Sequence, residues 1–101
     1  AERPAYAASK AGVNSLCRHI ASKWGRKGIR CNTVSPGFVL TEQLDANMSQ
    51  DMKDWMLKGS RSTRHGAPED IAGAVTILLS DDGEWVNGQS WRVNGGVSYA
   101  N

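Results

Sequence analysis

Twice in this 101-residue chain a long run of helical periodicity gives way, across a glycine-marked turn, to a short β-rich segment. That alternation restricts the fold more than any other feature of the sequence. Val13, Leu16, Cys17, Ile20 and Trp24 recur at helical spacing and predict one amphipathic helix over about residues 5–27. Arg26 and Lys27 place cations at the negative end of its dipole, and Gly28 supplies the stop. The strand IRCNTV (29–34) follows, and SPG (35–37) closes it with a proline that cannot continue a ladder. Residues 68–83, PEDIAGAVTILLSDDG, predict a second strong helix with Pro68 at its first position, Glu69 and Asp70 at the positive dipole end, and Ile71, Val75, Leu78 and Leu79 as its apolar face. A strand around Ser90–Val93 lies between the turns of NGQSWRVNGG (87–96). Between the two halves, Ser49 can cap a short helix whose face carries Met48, Met52, Trp55 and Met56, and RSTRHGA (61–67) reads as a loop. Arg64, Gly66, Pro68, Glu69 and Asp70 read as loop geometry and helix initiation rather than chemistry.

The predicted order is therefore helix, strand, helix, helix, strand. Strands joined through helices pair in parallel by a right-handed crossover, so the fold class is α/β. Parallel sheets are covered on both faces and have more than two strands. Residues 1–101 thus read as the C-terminal portion of a larger α/β domain.

Composition excludes other classes. The chain is 40% hydrophobic and 22% charged with a net charge of +2, as in ordinary globular domains. It has no basic patch with interleaved aromatics, so no nucleic-acid partner is expected. No apolar run approaches a membrane span, and no basic-then-apolar leader opens the sequence. Cys17 and Cys31 form no CxxC and no disulfide framework, and read as small buried hydrophobes in a reducing, cytoplasmic setting. His19 and His65 have no second ligand at metal spacing; both read as surface residues, and no metal is expected.

The chemistry-bearing stretch is YAASKAG (6–12). On a helix, Tyr6 and Lys10 are about one turn and 40° apart, on the same side. An ammonium about 4 Å from a phenolate, at an effective dielectric near 20, stabilises it by roughly 4 kcal/mol. A phenol so placed is suited to general acid–base work near neutral pH. A helix-start tyrosine beside a snorkelling lysine would leave the same trace.

YAASKAG, IRCNTVSPG, RHGAPEDIAGAVTILLSD and VNGQSWRVNGG together resemble the C-terminal part of short-chain dehydrogenases/reductases, across nearly the whole chain. The resemblance implies a Rossmann-like, doubly wound parallel sheet, of which this is the C-terminal portion. It also implies hydride transfer between NAD or NADP and an alcohol or carbonyl substrate. It makes Tyr6 the catalytic acid/base and a cofactor-binding residue, and Lys10 its electrostatic partner and a ligand of the nicotinamide ribose. Pro36 and Gly37 would line the nicotinamide pocket. Val39 would meet the carboxamide through its backbone, and Thr41 would hydrogen-bond the carboxamide or pyrophosphate. Residues from about 38 to 60 would form a substrate flap carrying Phe38, Met48, Met52, Trp55 and Met56.

The same resemblance implies a partner: the N-terminal half of the domain, from the same gene or a companion chain, with the glycine-rich phosphate loop and catalytic serine. It also implies a homo-oligomer, a dimer or tetramer. Ala8, Ala11, Gly12, Ser15 and Ser22 are the small residues of the matching interface helix, and Trp85, Trp91 and Tyr99 suit a second contact or the core. Asn94 stands where the family commonly has aspartate. The competing reading is a non-catalytic oligomerisation module or an inactive fragment.

Overall fold

The computed structural model describes residues 4–98. Helix α1 (Pro4–Trp24) runs into a 3-10 turn (Gly25–Lys27). Strand β1 (Thr33–Pro36), α2 (Glu42–Asn47), α3 (Gln50–Lys58) and α4 (Pro68–Leu79) follow, then a second 3-10 turn (Asp81–Gly83) and strand β2 (Ser90–Val93). The two strands form one sheet. Thr33 N donates to Gln89 O at 2.9 Å and Gly37 N to Val93 O at 2.9 Å. Both partners advance by four in the same direction, so the pairing is parallel, as the α/β reading requires.

The first strand starts four residues later than its β-rich composition suggests, at Thr33, and ends at Pro36. Pro36 belongs to it because Thr33 and Gly37 aim their N–H groups at β2, while a residue of the opposite parity faces the other way. Its missing donor removes nothing from this ladder. Residues 29–32 are instead held by side chains. Asn87 Oδ1 accepts from Cys31 N at 2.9 Å, and Asn32 donates to Val86 O at 2.9 Å and accepts from Gln89 N at 3.0 Å.

The chain divides into two compact units. One comprises the residues through Thr33 with Ile77–Trp91; the other comprises Val34–Thr76 with the residues from Arg92 onward. In the first, α1 ends as expected: Gly28, at φ +88°, caps the 3-10 turn with its N–H on Gly25 O at 3.0 Å. Two side chains tie α1 to the entry of β1. Cys17 Sγ donates to Cys31 O at 3.0 Å, and Thr33 Oγ1 donates to Asn14 Oδ1 at 2.9 Å. Burial, with the Cys31 side chain next in weight, pushes the Cys17 thiol up to about 11. Cys31 itself is only half-buried, because it lies where side-chain pairing replaces a covered strand.

Arg30 organises the far end of α4. Its Nη1 donates to Leu78 O at 2.6 Å and Gly83 O at 2.8 Å. The helix stops at Leu79, short of the expected Gly83, and Arg30 takes up the Leu78 carbonyl left over by its last turn, together with Gly83 O of the 3-10 turn beyond. Gly83 is buried so tightly under that turn that a side chain there would collide with the Ile77 carbonyl.

Among the described residues, Cys17 and Leu78 are the only buried hydrophobic side chains. The apolar stripe of α1 is covered at Cys17 and partly at Ile20 and Trp24, but Val13 and Leu16 are exposed. Leu79, expected on the buried face of α4, is 79% exposed, and Trp85 is 99% exposed; Trp91 is half-buried. Tyr99 lies outside the described residues.

In the second unit the pattern between Phe38 and Gly59 resolves into two helices where one is expected. Thr41 Oγ1 accepts from Leu44 N at 3.2 Å and starts α2, and Ser49 Oγ accepts from Met52 N at 3.2 Å and starts α3. The short α2 has a Thr cap and an acidic first turn but no apolar stripe, so periodicity does not reveal it.

Candidate active site

Tyr6 and Lys10 occupy the first turns of α1, on one side of the helix. Lys10 Nζ lies over the Tyr6 ring, 5.9 Å from its centre, within cation–π range. Tyr6 is 55% exposed. At this exposure water screens the pair. Residues 4–98 bring the phenol and the cation together on one turn of helix without the low-dielectric surroundings that would strengthen the pairing.

The segment from Pro36 to Thr41 lies in the second unit and is held from two sides. Gly37 packs on Asn94, where an added Cβ would come within 2.6 Å of the Asn94 Cβ, so no larger residue fits. Asn94 is fixed in turn as the pivot of its own turn. Its Oδ1 accepts from Gly96 N at 3.0 Å, and its Nδ2 donates to Ser98 O at 3.2 Å and Ser98 Oγ at 3.1 Å. An aspartate could not make the last two bonds as a donor. On the other side, Val39 forms an isolated parallel bridge with Gly66, and Leu40 N donates to Gly66 O at 2.8 Å.

This backbone could hold a primary carboxamide. Successive N–H groups of an extended chain point to opposite sides. With Leu40 N on Gly66, the N–H and C=O of Val39 face away from it, presenting one donor and one acceptor together. A primary carboxamide needs that pair. Thr41 has one lone pair committed to Leu44 N, which leaves its O–H free to donate towards a ligand.

The residues assigned to the flap divide by exposure. Trp55 and Met52 are exposed, at 71% and 48%, while Met48 and Met56 are half-buried. Lys53 on α3 pairs with Asp45 on α2. Phe38 is half-buried with its ring edge-on to His65, centroids 6.3 Å apart at 77°. His65 is thus half-buried rather than a surface residue, because its loop is folded against Phe38. His19 is exposed and edge-on to Trp24 at 6.4 Å. No group of three or more His, Cys, Asp or Glu among the described residues could hold a metal ion, and no helix among them is long and apolar enough to cross a membrane.

Arg64, Gly66 and Asp70 do more than the loop geometry and helix initiation expected of them. Asp70 accepts two bonds from the Arg64 guanidinium, both at 2.7 Å, and a third from Ala67 N at 2.7 Å. Asp70 reaching back to Ala67 N is the acidic half of a capping box, a signal legible in GAPED; the pairing with Arg64 is not.

A family model described as Enoyl-(Acyl carrier protein) reductase matches residues 1–98. Over 96 residues, 95% of this chain, the sequence is 38% identical to a 7alpha-hydroxysteroid dehydrogenase of Bacteroides fragilis and covers 37% of that protein. An oxidoreductase of the short-chain dehydrogenase/reductase family from Burkholderia thailandensis has a similar structure. It has a TM-score of 0.85 and 35% identity, over 97% of this chain and 39% of that one. A 4-hydroxyisoleucine dehydrogenase complexed with NADH superposes with a TM-score of 0.81 at 29% identity, over 99% of this chain and 42% of that one. The chain spans about a third of the length of the curated relatives it matches.

Proposed function

The chain belongs to the short-chain dehydrogenase/reductase family, and on that premise we propose that it carries the proton-transfer pair and part of the nicotinamide pocket of an NAD(P)-dependent alcohol–carbonyl oxidoreductase. The observation that carries the reading is Lys10 over the Tyr6 ring on one helical turn. It is supported by a separate segment whose Val39 backbone and Thr41 hydroxyl match a carboxamide.

When bound, NAD or NADP supplies a hydride acceptor or donor. The rest falls to protein side chains. The Tyr6 hydroxyl gives its proton to the carbonyl oxygen in reduction and takes it back in oxidation. The Lys10 ammonium would stabilise the phenolate that forms and would donate to the ribose hydroxyls. Gly37 allows backbone to approach the ring, Val39 pairs with the carboxamide, and Thr41 donates to it or to the pyrophosphate. The exposed Trp55 and Met52 of α3 provide an apolar wall for the substrate.

The catalytic unit is this chain together with the remaining two-thirds of the domain, assembled as a homo-oligomer. Coverage of about a third of each relative supports that reading, as does the exposure of Val13, Leu16, Leu79 and Trp85. Residues 1–101 alone neither bind the dinucleotide tightly nor turn over. The test is oxidation of NADH and NADPH by the complete domain against a panel of carbonyls. Turnover that disappears in Tyr6→Phe supports the reading, and a fully active Tyr6→Phe enzyme defeats it. Clear NAD(P)-dependent turnover by the isolated 101-mer would refute the need for the rest of the domain.

A further inference from the structure

Thr41, Val39 and Gly37 need a fixed backbone to meet a dinucleotide, and nothing in their own sequence fixes it. Gly37 is held by Val93 and Asn94; for Val39 and Leu40 the residues that do so lie about 25 positions further on. The Gly66 carbonyl takes the Leu40 N–H at 2.8 Å, and Gly66 bridges Val39 in parallel. A Cβ on Gly66 would stand 3.2 Å from Phe38 O, a tight contact that a side chain there would have to push open. The Gly66 loop is not free to adjust. Arg64 donates through both terminal nitrogens to Asp70, and its Nη1 also donates to His65 O at 3.0 Å. Asp70 holds Ala67 N on the other side of Gly66. Phe38 and His65 close the contact with their rings.

We propose that the Arg64–Asp70 pair is a positioning device for dinucleotide binding: it locks residues 64–67, and Gly66 within them sets the backbone of Val39 and Leu40. Neither charged residue touches the ligand. The inference rests on the reading of residues 36–41 as the nicotinamide-binding segment, and extends it to a distant ion pair. A bidentate arginine–carboxylate pair is suited to the task because two parallel bonds fix orientation as well as distance, which a lysine cannot do.

The experiment uses the complete domain with Asp70→Asn, which keeps an acceptor for Ala67 N but loses the charge and the fork. Arg64→Lys is the milder second variant, and both are checked for folding by circular dichroism and thermal melting. Hydrogen exchange over residues 38–41, without cofactor, is expected to quicken about tenfold in each. The Kd for NADH or NADPH, read by fluorescence, is expected to rise about fivefold, with KM for the dinucleotide following it and kcat within about twofold. Unchanged exchange over 38–41 in a folded variant overturns the proposal. So does faster exchange with an unchanged Kd. If exchange quickens but the unaltered domain binds neither dinucleotide, the nicotinamide reading has failed and takes the binding role with it, while the mechanical link from Asp70 to Leu40 stands.

Discussion

Lys10 holds its ammonium 5.9 Å from the centre of the Tyr6 ring, one turn along the same helix, with Tyr6 more than half exposed. The sequence supplies the pairing; its strength depends on what excludes water around it. In the complete domain, Tyr6→Phe is expected to lower kcat by about 10²- to 10⁴-fold, as the loss of a general acid–base group does, and to leave dinucleotide affinity nearly unchanged. Steady-state kinetics with a binding titration checks this. Equal loss of kcat and of affinity would mean that Tyr6 only shapes the pocket.

Thr41 serves two ends at once. Its Oγ1 accepts from Leu44 N and starts α2, while its O–H remains available. Thr41→Val should cost about 1 kcal/mol of stability through the lost cap and raise the dinucleotide KM as well, whereas Thr41→Ser should preserve both. Denaturant titration of the three forms, with KM measured alongside, separates the two contributions.

The Asp70 carboxyl is held well below the usual carboxylate range, first by its hydrogen bonds from Arg64 and then by Ala67 N. A carboxyl whose folded-state pKa is depressed binds its proton more readily in the unfolded chain. Its stabilisation is therefore fully present above the unfolded value of about 3.9 and is lost as pH falls through that value towards the folded one. Melting temperature should fall more steeply below about pH 4 in the natural sequence than in Asp70→Asn, and the gap between them should narrow there. Parallel melting curves from about pH 7 to 2 would show that the pair adds nothing.

Arg30 spans Leu78 O and Gly83 O from the entry to β1. Arg30→Met keeps the aliphatic stem and strands both carbonyls, with an expected loss of about 1–3 kcal/mol. Arg30→Lys should recover only part of it, since one ammonium cannot reproduce the guanidinium's spread of donors. Chemical denaturation of the complete domain distinguishes them.

Trp55 stands 71% exposed on α3 next to the half-exposed Met52. As a substrate wall, Trp55→Ala should raise KM several-fold for large apolar carbonyls and leave small polar ones nearly unaffected. An unchanged KM across both classes would assign Trp55 to packing in the assembled protein.

The α/β class, the parallel pairing, the two long helices and the same-side placement of Tyr6 and Lys10 are legible in the sequence alone. Each follows from local periodicity, or from one residue four positions from another, and such short-range regularities survive in a one-dimensional string. Tertiary structure decided the rest. It moved the first strand onto Pro36, because β2 pairs with the opposite parity. It ended α4 at Leu79, where Arg30 takes the Leu78 carbonyl. It brought Gly66 onto Val39 and Leu40, and closed Arg64 on Asp70. Those outcomes depend on hydrogen bonds between residues distant in the chain or divided by a loop, and no local propensity records which donor will meet which acceptor once the chain is folded.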